Sequence, residues 1–150
     1  MDCKRILVAV DTSENSLRAV SYVGEMVRNT EGVHVELLHI VRLPQRDLYP
    51  DEVSFQEQLR VQEVESQNFL EDAHGILEGK GLPSGSVTER QLCITVPSIA
   101  QHILRIQKEG NFGTIVVGRR GVSKAEEFLF GSVSSKIVHY AKNCCVWVVG

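Results

Sequence analysis

The stretch Thr114-Ile115-Val116-Val117-Gly118-Arg119-Arg120-Gly121, followed by Val122 to Phe130 and then Gly131-Ser132, decides how the chain reads. A short apolar run breaks at glycine, loops, and restarts near Ser132 as a helical pattern. Where a strand ends in a loop that feeds a helix, backbone N–H groups point outward. The positive end of the helix dipole then favours phosphate oxygens. Glycine permits positive φ in such a loop and lets a ligand approach the main chain. The same spacing is also that of ordinary loop punctuation, so the glycines alone leave both readings open.

Outward from that stretch, the chain alternates. Ile6 to Val10 is a continuous apolar run, as suits a strand covered on both faces. Asp11-Thr12-Ser13 supplies cap residues, with an N-cap as one reading of Asp11 beside a functional one, before an apolar stripe of Leu17, Val20, Val23 and Val27. Val33 to Val41 is a second strand candidate. Arg42 to Glu52, with Pro44 and Pro50, reads as a long surface loop of the kind that is often functional. Phe55 to Leu77 is expected as a helix burying Leu59, Val64, Phe69, Ala73, Ile76 and Leu77. Ser86 to Leu92 reads as an edge strand. Val96-Pro97 opens a helix with Ile99, Ile103, Leu104 and Ile106 inward. Thr114 to Val117 is the fourth strand. A last helix carries Val133, Ile137, Val138 and Ala141, and Cys144 to Val149 is the last strand. Alternating β-α-β units argue for a parallel sheet with helices on both faces.

At 150 residues the chain has the size of one ordinary domain, 1–150. A net charge of −3 gives no reason to expect a nucleic-acid partner. The apolar runs are too short for a membrane span or a signal-peptide core, so the expected compartment is the cytoplasm. Cys3, Cys93, Cys144 and Cys145 form no Cys-x-x-Cys pair and are expected as buried free thiols. The glycines at 75, 79, 81 and 85 match neither a Walker loop nor a dinucleotide fingerprint, and read as turns. None of the five histidines sits at metal-ligand or triad spacing.

Gly118-x2-Gly121-x9-Gly131-Ser132 resembles the nucleotide-binding signature of the ATP-binding branch of the universal stress protein family. Arg5 to Ser13, Leu37-Leu38-His39-Ile40 and Cys144 to Val149 resemble that family's first, second and last strands. The resemblance implies a Rossmann-like fold of the adenine nucleotide alpha hydrolase kind, with five parallel strands in the order 3-2-1-4-5. Strands one and four then lie side by side at the switch point, where such folds bind ligands. It further implies that Gly118, Arg119, Gly121, Gly131, Ser132 and Val133 cradle the phosphates and ribose of ATP. Val10, Asp11 and Ile40 would line the side toward base and metal, with Asp11 on a Mg (or Mn) ion shared with the phosphates. His39 falls next to that pocket. Two departures stand out. Arg119-Arg120 replaces a frequent Ser-His pair, and the two arginines (like Lys124) either strengthen anion binding or face solvent. Ile94-Thr95-Val96-Pro97 lacks a glycine the family often has.

The implied function is an ATP-dependent regulator of a stress response. It would be a homodimer paired through Cys145–Val149, acting on protein clients. No catalytic residue is assigned, and enzymatic activity is at most weak ATP hydrolysis. Two alternatives share the fold: a nucleotide-free interaction module and a slow Mg-dependent ATPase. The stress, the client and the source organism are not written in the sequence.

Overall fold

The computed structural model describes residues 1–95, 98–119 and 131–150. Among the described residues, strands and α-helices alternate along the chain. They are β1 (Asp2–Val10), α1 (Glu14–Val27), β2 (His34–Arg42), α2 (Glu52–Gly79), β3 (Val87–Ile94), α3 (Ile99–Glu109), β4 (Phe112–Gly118), α4 (Ser132–Tyr140) and β5 (Cys145–Val149). The strands form one sheet in the order β3-β2-β1-β4-β5. Every neighbouring pair is parallel. The five-stranded parallel fold with helices on both faces is therefore as expected.

The strand sequences explain the layering. β1 is central and apolar throughout its second half, so successive side chains feed opposite faces. Ile6, Val8 and Val10 join Val35, Leu37 and Val116 beneath α1 and α2, which contribute Val20, Val23, Leu70 and Leu77. Leu7, Leu38, Ile115 and Val117 face α3 and α4, which contribute Ile103, Ile106 and Ile137. Each helix buries one stripe and leaves its other side in water.

Several expectations on individual residues fail. Val64 on α2 and Val138 on α4 are 48% and 55% exposed. The side of α2 that meets the core is set by Ser66, Leu70, Ala73 and Leu77, all in its second half. On α4 it is set by Ser134 and Ile137. Cys3, Cys93 and Cys145 are exposed and Cys144 is only partly covered, so the thiols are free but not buried. Cys93 and Cys145 stand on the two edge strands, β3 and β5, and Cys3 near the outer start of β1. α2 begins at Glu52 with Asp51 as its N-cap, three residues before the expected start. Ser98 caps α3; Val96 and Pro97 lie outside the described residues. The link between β2 and α2 is the long loop expected, with one 3-10 turn at Arg46–Leu48, and contacts order it: Arg46 lies over the Phe55 ring and Tyr49 meets that ring edge-on. None of the described helices is long and apolar enough to cross a membrane.

Candidate functional site

The carboxyl ends of β1, β2 and β4 converge. Val10 pairs with His39, and Ala9 with Val117, so Asp11 leaves the sheet beside Gly118 and the end of β2. The chain turns at once into α1. Asp11 Oδ1 accepts the Ser13 backbone N–H at 3.0 Å and the Ser16 hydroxyl at 2.8 Å, and it also accepts the Ser13 hydroxyl. The Asp11 N–H donates to Ser16 Oγ at 2.8 Å. The cap itself is Ser13, whose hydroxyl accepts from the Ser16 N–H. This corrects the expectation that Asp11 caps α1. The carboxylate instead holds the residue that does so, by an Asx-type turn.

Gly118 needs no positive φ. Among the described glycines only Gly32 and Gly81 adopt one. What limits a side chain there is space: a Cβ would stand 3.3 Å from the backbone C and O of Asn15, in the first turn of α1. The glycine lets the end of β4 press against α1 and closes the floor under Asp11.

Arg119 N–H donates to the Val149 carbonyl at 2.7 Å, extending the β4–β5 ladder by one residue. Its carbonyl accepts the Gly131 N–H at 2.7 Å. The Ser134 hydroxyl, buried, lies 3.0 Å from the carbonyls of both Arg119 and Gly131. These bonds tie the two ends of the 119–131 stretch together. The Arg119 side chain runs beside Gly150, whose built Cβ would lie 3.6 Å from Arg119 Nε. Gly121, Arg120 and Lys124 lie outside the described residues.

Gly131 is the N-cap of α4, at φ −64°, and as a glycine it supplies no side-chain cap. Helix geometry leaves the first backbone N–H groups without an internal acceptor. The first N–H to bond back inside the helix is that of Ser135, to the Gly131 carbonyl. Among the described residues no side chain caps Ser132, Val133 and Ser134, which present a cluster of N–H donors at the positive end of the helix dipole, a geometry suited to an anion. Gly131 is not among these donors, since Arg119 takes its N–H. Ile40 is buried on the face that α4 covers, whereas the Val10 side chain points to the opposite face. Near this site, Ile40 offers a side chain and Val10 mainly its backbone.

His39 is a residue the glycine signature does not mark. It is 7% exposed, its Nδ1 lies 2.6 Å from the buried Ser66 hydroxyl, and its ring meets Phe69. Burial holds the imidazole below its ordinary pKa, and the Asp11 carboxylate offsets part of that. Family resemblance had placed His39 next to the pocket, whereas Ser16, Ser66 and Ser134 were silent in the sequence, because a serine is recognised as a buried tie only once its partner is known. Among the described residues no group of three His, Cys, Asp or Glu could hold a metal. The lone Asp11 carboxylate fits a magnesium ion only where phosphates and water complete its shell. A surface hollow of about 670 Å³ lies along the first half of α2.

The family model for the universal stress protein family matches residues 3–150. Among solved structures, the hypothetical protein MJ0577 is 25% identical, with a TM-score of 0.80 over 97% of this chain and 94% of that one. A universal stress protein in complex with cAMP is 20% identical, with a TM-score of 0.70 over 97% and 96%. The universal stress protein from Archaeoglobus fulgidus in complex with dAMP is 24% identical, with a TM-score of 0.65 over 97% and 97%. No curated protein matches the chain by sequence.

Proposed function

Because the chain belongs to the universal stress protein family, we propose that it is an adenine-nucleotide-binding regulator. In this reading ATP seats its phosphates on the N-terminus of α4. The observation that carries the proposal is the uncapped first turn at Ser132-Val133-Ser134, set beside Asp11 and Gly118 at the switch point of the sheet. Two relatives of the same fold have been crystallised with cAMP and with dAMP, which supports an adenine nucleotide as the ligand.

The residues divide the work by chemistry. The N–H groups of Ser132, Val133 and Ser134 and the Ser132 hydroxyl donate to phosphate oxygens. Gly118, Gly121 and Gly131 keep side chains out of the phosphate path. Asp11 holds Mg (or Mn), which when bound neutralises phosphate charge. Ile40 gives the adenine an apolar wall, and the Val10 backbone lies alongside. Arg119, just past β4 and beside the end of β5, adds positive charge at the rim. Binding alone suffices for regulation, since a γ-phosphate can hold a neighbouring segment in place. The Arg42–Glu52 link stands at the same end of the sheet and is the segment expected to respond. The protein acts in the cytoplasm, as a homodimer formed through Cys145–Val149, on protein clients. Hydrolysis of ATP is at most weak.

Amide resonances provide the test. Titration with ATP and magnesium is expected to shift Gly118, Ser132, Val133 and Ser134 first, with AMP-type ligands moving a subset. Shifts confined to other elements, or none at saturating nucleotide, would contradict the reading and leave the nucleotide-free module in its place.

A further inference from the structure

The first half of α2 carries apolar side chains on the side away from the sheet. Val53 is 78% exposed, Val64 48% and Val61 38%. At 3.6 residues per turn, Val53, Glu57, Arg60 and Val64 fall within a stripe roughly 60° wide. That stripe stands about 140° around the helix from the buried Ser66, Leu70, Ala73 and Leu77. It therefore faces solvent, away from both the core and the strand ends. Within it, the Glu57 carboxylate and Arg60 guanidinium form an ion pair at 3.1 Å, with side chains 59% and 72% exposed.

The spacing of this stripe is symmetric. Val53-x3-Glu57-x2-Arg60-x3-Val64 reads the same in either direction about a centre between Gln58 and Leu59, apart from the exchange of Glu for Arg. We propose that this stripe is a self-complementary seam on which a second copy of the chain docks, with its α2 antiparallel. In that arrangement Val53 of one copy meets Val64 of the other, and Glu57 meets Arg60, twice over. A two-fold contact requires a surface that complements itself in this way. A parallel arrangement would set Glu57 against Glu57 and Arg60 against Arg60, which like-charge repulsion disfavours. The other acidic residues of this half do not oppose the pairing. Glu52, Glu63 and Glu65 lie about 100° off the seam, and Glu52 is bound by Arg46 at 2.9 Å.

A seam of three helical turns is small beside the roughly 1,200 Å² of a stable interface, so the contact alone is weak and concentration-dependent. α2 packs on α1, β2 and β3, at the opposite edge of the sheet from β5. One chain can thus use this seam and a β5 contact together. Two different two-fold contacts on one chain join copies beyond a single pair.

Sedimentation velocity of the full-length chain tests the seam. Glu57→Arg leaves the stripe with positive charge only, and Arg60→Glu with negative charge only. Each single variant is expected to weaken the concentration-dependent step about tenfold, because two symmetric pairs are lost together. A fluorescently labelled Glu57→Arg chain is then mixed with unlabelled Glu57→Arg, or with unlabelled Arg60→Glu. Any pairing through β5 persists in both mixtures, and the labelled chain should move into a species heavier than that pair with the second partner and not with the first. A pair that served only its own helix would give the same profile in both mixtures. That result, or single variants that associate like the wild type, would overturn the proposal. Circular dichroism of each variant confirms that the exposed substitutions leave the fold intact.

Discussion

At the scale of single residues, His39 and Asp11 set the behaviour of the strand ends. His39 is neutral in the folded chain because burial depresses its pKa below 6.5, against a smaller opposing pull from Asp11. As pH falls through 6.5 the unfolded chain takes up a proton that the folded chain resists, so stability falls with pH there. The contribution is complete above 6.5 and is lost as pH drops from that value through the lower, folded one. His39→Gln, which can keep a hydrogen bond to Ser66, is expected to flatten this acid limb in urea unfolding between about pH 7.5 and pH 5. An unchanged slope would place the acid sensitivity elsewhere. The sequence marked Asp11 as important but misassigned its structural task. A run such as Asp-Thr-Ser offers several cap oxygens, and only the path of the chain selects Ser13. The thiols were misread for a related reason. Cysteine is usually buried, but Cys93 and Cys145 fall on edge strands, and edge position is a property of topology.

At the scale of elements, the joint between β4 and α1 is tighter than a residue pattern can say. Gly118 is crowded, with Asn15 backbone atoms 3.3 Å from where a Cβ would stand, so a side chain there pushes α1 back by a few tenths of an ångström. Gly118→Val is expected to cost about 1–3 kcal/mol of stability through overpacking. It should also shift the amide resonances of the first turn of α1. A variant as stable as the wild type would mean that the joint yields easily. Helix existence was legible from periodicity, whereas helix phase was not always so. α1 and α3 carry compact apolar stripes, and Val20, Val23, Ile103 and Ile106 are buried as read. α2 is 28 residues long, far more than nine-residue β2 needs as a cover. Its first half therefore carries apolar residues that do not reach this core, and Val64 was misread as buried for that reason.

At the scale of the whole molecule, alternation of apolar runs with amphipathic helices was enough for a parallel α/β sheet. The strand order came from family resemblance, not from any residue pattern. That order leaves β3 and β5 as edges, and their chemistry differs. β3 exposes Glu89 and Arg90, charges that discourage edge-to-edge pairing. β5 reads Cys-Val-Trp-Val-Val with no charge, and Val146 to Val149 are only partly covered, in part by Tyr22 edge-on to Trp147. A homodimer through β5 is thus the expected assembly. Val148→Lys should shift the sedimentation profile toward monomer, and Gln91→Lys on β3 should leave it unchanged. Equal effects of the two would remove β5 as the pairing edge.

The central claim is that an adenine nucleotide binds at the N-terminus of α4. Calorimetric titration of ATP with magnesium into nucleotide-free protein tests it most directly, beside Gly131→Val and Asp11→Asn. The account predicts saturable binding to the wild type, its loss in Gly131→Val, and binding in Asp11→Asn that no longer strengthens with magnesium. Absence of binding to a folded wild-type chain, or equal affinity in Gly131→Val, would contradict it.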